Sequence, residues 1–229
     1  MSTPFELYLS AVTTLRDVAV PETSGYGALQ TLLNSVGGGL SPRVDVITHP
    51  VDVGAGIPDF GVFEHGQPAD QLPHRGVIEA KGVHAPLHEI VQSEQVARYA
   101  QRYGQVLVTN YYQFQLVRRD ESGVRADERF DLAESPAAFW QAAAAPHTFA
   151  AARAADLAAY LGRALARSAP LATPQDVAQM LASYARVARA RVEAGANRST
   201  GSPPSAASSK TRSASSFRAQ MAKPSSALP

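Results

Sequence analysis

The sequence predicts a layered α/β or α+β domain, with α/β the expected class, because two helical segments precede several strand segments rich in Val, Ile, Phe and Tyr, and a further helix crosses between the third and fourth of these. Gly and Pro clusters separate the strand segments, and alanine-rich helical sequence follows residue 131. With 229 residues, 45% of them hydrophobic, the chain can bury one sizeable core and still carry appendages.

Residues 5–18 read as the first helix and residues 25–36 as the second, where Leu29, Leu32, Leu33 and Val36 recur at helical spacing before Gly37, Gly38 and Gly39 end the run. Strands are expected over 44–49, 57–64, 76–81 and 105–118, the last as two short strands bent near Asn110. Residues 66–75 are the turn joining the second and third. A helix over 86–103 starts at Pro86, suited to a first position, and stops at Gly104. Further helices are expected over 135–167 and 174–193. Thr173 caps the second of these, on which Val177, Leu181, Tyr184, Ala188 and Val192 form an apolar stripe. From Ala196 onward Ser, Pro, Ala and basic residues dominate, and such a segment cannot bury enough surface to offset its ordering entropy. The expected division is a core over 1–132, a helical spacer over 133–195 and a disordered tail over 196–229.

Composition removes several classes of function. There is no cysteine, so disulfides and thiolate metal sites are excluded and any metal is held by carboxylate, imidazole or water, which favours a hard cation. No stretch approaches the roughly 20 apolar residues a membrane span needs, and no basic segment followed by an apolar run opens the chain; a cytoplasmic protein is expected. The run His88-Glu89-Ile90-Val91-Gln92 lacks the second histidine of a zinc-protease helix. Gly37–Gly39 is not followed by the Lys-Ser/Thr pair of a phosphate loop, and no Gly-x-Ser-x-Gly elbow occurs. The formal charge is +1, but Arg198, Lys210, Arg212, Arg218 and Lys223 carry +5 with no acid among them, which leaves −4 for the body. A protein that holds nucleic acid unaided usually presents a strongly basic footprint, and this body does not.

The chemistry gathers around three residues. On a strand, Glu79 and Lys81 project from one face and Ala80 from the other, so a carboxylate and an ammonium stand side by side. Asp59, at the start of the preceding strand, would add a second carboxylate, with Ile57, Phe60 and Val62 as apolar surroundings. Phosphodiester hydrolysis calls for such a set: carboxylates for a hard cation, and a positive group near the nucleophile or the developing charge. Magnesium takes one or two protein carboxylates and keeps several waters, so two acids suffice. The ordinary alternative is a solvated cross-strand charge pair. On the following helix Gln95 interrupts a stripe of Leu87, Val91 and Tyr99, and a glutamine placed there needs a hydrogen-bond partner, in the plain case a nearby backbone group.

Ile57-Pro58-Asp59-Phe60, then Ile78-Glu79-Ala80-Lys81-Gly82, then Gln95-x-x-x-Tyr99, then the run from Leu107 to Phe114 together resemble the PD-(D/E)XK nucleases that carry a Q-x-x-x-Y motif. More narrowly, the pattern is similar to the N-terminal nuclease domain of fused restriction-modification enzymes, over about residues 15–120, with the helices to about 193 similar to that family's spacer. The resemblance implies a restriction-endonuclease-like core with a mixed central sheet, and magnesium (or manganese) held by Asp59 and Glu79. It further implies that Lys81 positions the attacking water, that Gln95 and Tyr99 support the site or touch DNA, and that an acid ahead of the second helix joins the metal. Glu22 is the matching residue, with an ordinary helix N-terminal acid as the alternative. No Asn-Pro-Pro-Tyr or Asp-Pro-Pro-Tyr methylation motif is present. A methyltransferase or specificity subunit is therefore the expected partner besides DNA, unless a C-terminal methyltransferase region has been lost. The competing expectation is a catalytically silent DNA-binding or assembly subunit of the same fold.

Overall fold

The computed structural model describes residues 2–16 and 22–168, together with part of 174–193; of Glu22 it describes only the backbone. It is an α/β protein built on a six-stranded mixed open sheet flanked by helices. Helix α1 (Pro4–Leu15) opens on a capping box in which Thr3 and Glu6 satisfy each other's backbone amides. A 3-10 turn (Glu22–Gly25) leads into α2 (Tyr26–Gly37). Strands β1 (Val44–Thr48), β2 (Phe60–Glu64) and β3 (Val77–Ala80) follow, then α3 (Leu87–Val91) and α4 (Glu94–Tyr103). Strands β4 (Gln105–Thr109), β5 (Gln113–Asp120) and β6 (Gly123–Asp131) complete the sheet, and α5 (Pro136–Ala143) and α6 (Pro146–Ala166) close the described part. The strands lie in chain order, antiparallel throughout except at β3–β4, where the helical crossover makes the pair parallel.

Alternation along the strands divides the core in two. Ile78, Ala80, Leu107, Phe114 and Leu116 face one side, where α1, α2, α5 and α6 supply Leu9, Leu33, Phe139 and Leu161 among others. Val77, Val106, Val108 and Val117 face the other side, against Leu87, Val96, Tyr99 and Tyr103 of α3 and α4. Residues 133–166, expected as a spacer, therefore supply Phe139, Trp140, Leu157, Tyr160 and Leu161 to the same cluster as α1 and α2. Two compact units divide at Ala190, and only Val192 and Glu193 of the second are described. The expected tail over 196–229, Thr173 and Tyr184 lie outside the described residues.

Four expectations need correction. The helix over 86–103 is two helices: Ser93 accepts the Val96 amide and restarts the helix after Gln92 ends the first, and Pro86 stands ahead of α3 rather than in its first turn. The helix over 135–167 is also two, because Pro146 has no N–H to continue α5 and instead begins α6. The sixth strand, β6, is absent from the expected set; its sequence is mostly charged and its residues are only half-buried or exposed, as suits the edge of a sheet. The second strand begins at Phe60, so Asp59 lies just ahead of it, and Ile57 is 56% exposed rather than packed around the acid.

The opposite edge of the sheet is covered by α2. Asn34 accepts the Val46 amide through Oδ1 (2.7 Å) and donates Nδ2 to the Val46 carbonyl (3.2 Å), which also accepts from Gln30 Nε2 (2.9 Å). A Cβ on Gly37 would stand 2.3 Å from the Val44 carbonyl oxygen, so this close approach requires glycine. Among the described residues no helix is long and apolar enough to cross a membrane.

Candidate active site

Glu79 is the third residue of β3, flanked by β2 and β4, and is 1% exposed. It shares the parity of Val77 and so faces the side of the sheet covered by α3 and α4. A carboxylate withdrawn from water this far is costly unless a cation accompanies it. Lys81 does: its backbone N–H donates to the Thr109 carbonyl at 2.8 Å, continuing the parallel ladder, and its Nζ lies 2.8 Å from Glu79 Oε1. The ammonium side is about one-third exposed, so the pair opens toward solvent from the lysine end.

Asp59 arrives from the neighbouring strand. The antiparallel register Phe60↔Ile78 puts it beside Glu79, one step beyond the paired residues. Its Oδ2 accepts the Ala80 amide at 2.7 Å and its Oδ1 accepts the Tyr26 hydroxyl. Its own carbonyl accepts the His49 amide at 2.9 Å; His49 is exposed, has a left-handed backbone (φ 46°) and lies with its ring 5.9 Å from that of Tyr26. Asp59, Glu79 and Lys81 thus meet where β2 begins and β3 ends.

Helix α4 closes the site from below. Gln95 is half-buried and donates Nε2 to the Tyr99 hydroxyl at 3.2 Å, so the partner of the expected glutamine is a side chain rather than backbone. The Tyr99 hydroxyl in turn donates to the Ile57 carbonyl at 3.0 Å. Burial raises the Tyr99 hydroxyl above its ordinary value; the bond from Gln95 opposes this, while the charges of Glu79 and Asp59 push it further up. Tyr99 therefore lies within the field of both carboxylates. Glu22 opens the 3-10 turn, four residues ahead of the Tyr26 that holds Asp59.

Tyr26 is the neighbour of the candidate site that sequence reasoning missed, since nothing in Gly25-Tyr26-Gly27 points to a residue 33 positions later. The loop before Asp59 was missed as well. Asp52 Oδ1 accepts three successive amides, Gly54 (2.8 Å), Ala55 (3.2 Å) and Gly56 (3.1 Å), which holds its carboxyl below the usual value, the Gly54 bond contributing most. Arg98 Nε donates to the Ala55 carbonyl (2.9 Å), Arg102 Nε to Val53 (3.0 Å) and Tyr103 OH to Gly56 (3.3 Å). Burial, with Asp52 nearby, pushes the Tyr103 hydroxyl up to about 12. The visible signal was the doubled Arg-Tyr of Arg98-Tyr99 and Arg102-Tyr103, spaced one helical turn apart.

Among the described residues no three of His, Cys, Asp and Glu converge in a metal-binding group. Asp59 and Glu79 remain a pair of hard oxygen donors whose formal charge outweighs that of Lys81, and they are the residues that could hold a hard cation. Comparison with protein-family models, curated proteins and solved structures returned no match.

Proposed function

We propose that this chain is a magnesium-dependent DNA endonuclease domain with a PD-(D/E)XK core, serving a restriction-modification or phage-defence system. The observation that carries the reading is the meeting of Asp59, Glu79 and Lys81 at the adjacent ends of β2 and β3, with Lys81 Nζ 2.8 Å from Glu79 and the Asp59 carboxylate bonded to the strand that carries both. Sheet order supports it, since a parallel β3–β4 pair linked by a helical crossover, with helices on both faces, is compatible with such a core.

Asp59 and Glu79 would hold magnesium, or manganese in its place, and the pair fits: both are oxygen donors, one almost fully buried. Bound there, the ion supplies charge stabilisation at the phosphoryl oxygen and lowers the pKa of a coordinated water. Lys81, partly exposed, holds the attacking water and offsets charge that develops on the phosphate. Tyr26 and the Ala80 amide fix the Asp59 carboxylate from opposite oxygens, and Gln95 fixes the Tyr99 hydroxyl beneath the site. Glu22 is the third acid that the reading would bring to the metal.

A second reading, a catalytically silent DNA-binding or assembly subunit, is favoured by the −4 charge of the body. In either case the partner that supplies DNA affinity is a methyltransferase or specificity subunit; Val177 and Leu181, 41% and 63% exposed, are apolar positions such a partner would cover. Plasmid DNA incubated with the purified chain decides between the two. Cleavage is expected with magnesium and none with EDTA, and Glu79→Gln and Lys81→Ala should each slow it by about a hundredfold or more. A Glu79→Gln protein that cuts as fast as its parent would exclude the catalytic assignment.

A further inference from the structure

The loop that delivers Asp59 is held by one helix on one side and by Asp52 on the other. Along α4, Arg98, Tyr99, Arg102 and Tyr103 fall on one face, and each donates to a loop carbonyl: Ala55 at 2.9 Å, Ile57 at 3.0 Å, Val53 at 3.0 Å and Gly56 at 3.3 Å. The helix runs forward from 98 to 102 while the accepting carbonyls run back from 55 to 53, so the loop lies antiparallel along α4 as a short extra ladder of side chains. Gly54 and Gly56 have φ of 96° and 92°, conformations that L residues rarely adopt. Asp52 gathers the amides of 54, 55 and 56 on the opposite side. Every described peptide group from 53 to 57 is thereby engaged by a side chain through its N–H or its C=O. Only Pro58, with its ring-fixed φ, separates this clamped segment from Asp59.

We propose that Arg98, Arg102 and Tyr103 are positioning residues that set the metal affinity of the Asp59–Glu79 pair by pinning the 53–57 backbone. The proposal rests on the nuclease reading and extends it to residues that bond the loop carbonyls of Ala55, Val53 and Gly56. Glu79 is fixed by a strand hydrogen-bonded on both sides. Asp59 precedes its strand and is held by the His49 amide at its carbonyl and by Ala80 and Tyr26 at its carboxylate, so the clamped loop is the remaining restraint on the chain that leads into it. Residues that orient metal ligands typically change affinity by about 10- to 100-fold when removed.

The test is a manganese titration of the full-length chain without DNA, followed through the resonance of free Mn2+. The Arg98→Ala/Arg102→Ala protein should bind Mn2+ at least about tenfold more weakly than the parent. The direction separates positioning from charge, because deleting two cations near a divalent-cation site would by Coulomb attraction alone strengthen binding. Gly56→Ala probes the same loop without altering charge or donors: its Cβ would have room, 3.6 Å from the Tyr99 hydroxyl, but not the required φ, and it too should weaken binding. That variant decides the matter if the double variant does not fold. Parental or tighter Mn2+ binding in a folded variant overturns the clamp while leaving the nuclease reading intact. Failure of the parent itself to bind Mn2+ overturns the nuclease reading and the clamp's role with it.

Discussion

Tyr26 ties Asp59 to a helix that precedes it by a whole strand. Its hydroxyl bonds Asp59 Oδ1, and its ring packs 5.0 Å from Phe60, so one residue spans the polar centre and the apolar core below it. Tyr26→Phe keeps the ring and removes one bond to a charged group, which costs about 1.5–3 kcal/mol when the acceptor stays in place. We expect a lowered melting temperature and a higher magnesium concentration at half-maximal cleavage rate, measured by calorimetry and by a magnesium titration of rate. An unchanged melting curve would mean that water replaces the hydroxyl. At this scale the site was partly legible beforehand. Period-two alternation is enough to put Glu79 and Lys81 on one face, and the register of β2 against β3 brings Asp59 to them. The Tyr26 contact was not legible, since it depends on how α2 crosses the sheet and not on any spacing along the chain.

Among the elements, the break between α3 and α4 changes what the helix can do. A continuous helix over 86–103 would carry Leu87, Val91, Gln95 and Tyr99 in one line, but the restart at Ser93 makes α4 a separate helix, and it is α4 whose two Arg-Tyr pairs meet the loop before β2. The signal for the break was present in Ser93-Glu94, a capping residue followed by a first-turn acid, and a four-residue stripe running through it obscured it. Strand β6 escaped notice because Val124, Arg125, Ala126, Asp127, Glu128 and Arg129 alternate no clear apolar face, and its register against β5 shifts between Gln115 and Val117. The Asp52 turn gives this scale its prediction. With its carboxyl held below the ordinary value, Asp52 contributes fully above that value and loses its contribution as pH falls through the depressed one. The amide resonances of Gly54 and Gly56 should therefore be constant near neutrality and move together in the acid range, and Asp52→Asn should abolish the transition. Movement of those amides near pH 7 would show that another group controls the loop.

For the molecule as a whole, the layered α/β class and the helix that crosses between the third and fourth strands followed from where apolar runs, prolines and glycines fall, while the parallel direction of those strands is what the sheet adds. What did not follow was that α5 and α6 share a core with α1 and α2, since composition alone distinguishes alanine-rich helices without saying what they pack on. With a body at −4 and five basic residues beyond Asn197, the isolated chain should bind duplex DNA weakly. If all five engage phosphates, raising salt from about 50 to 200 mM should lower affinity by two to three orders of magnitude, and removing residues 197–229 should abolish most of the binding. Fluorescence anisotropy would show this, and tight site-specific binding at physiological salt would argue for a self-sufficient enzyme. Asn34 has a different bearing on how copies of this chain meet. By offering one acceptor to the N–H and one donor to the C=O of the same residue, Val46, its amide impersonates the backbone of a seventh strand. A second chain arriving at that border finds the place already taken, so a pair of these molecules gathered on duplex DNA would have to meet through other surfaces. Asn34→Ala removes the impostor: light scattering should then detect more concentration-dependent self-association than the parent shows, and a variant that scatters as the parent does would mean that α2 guards the border by bulk alone.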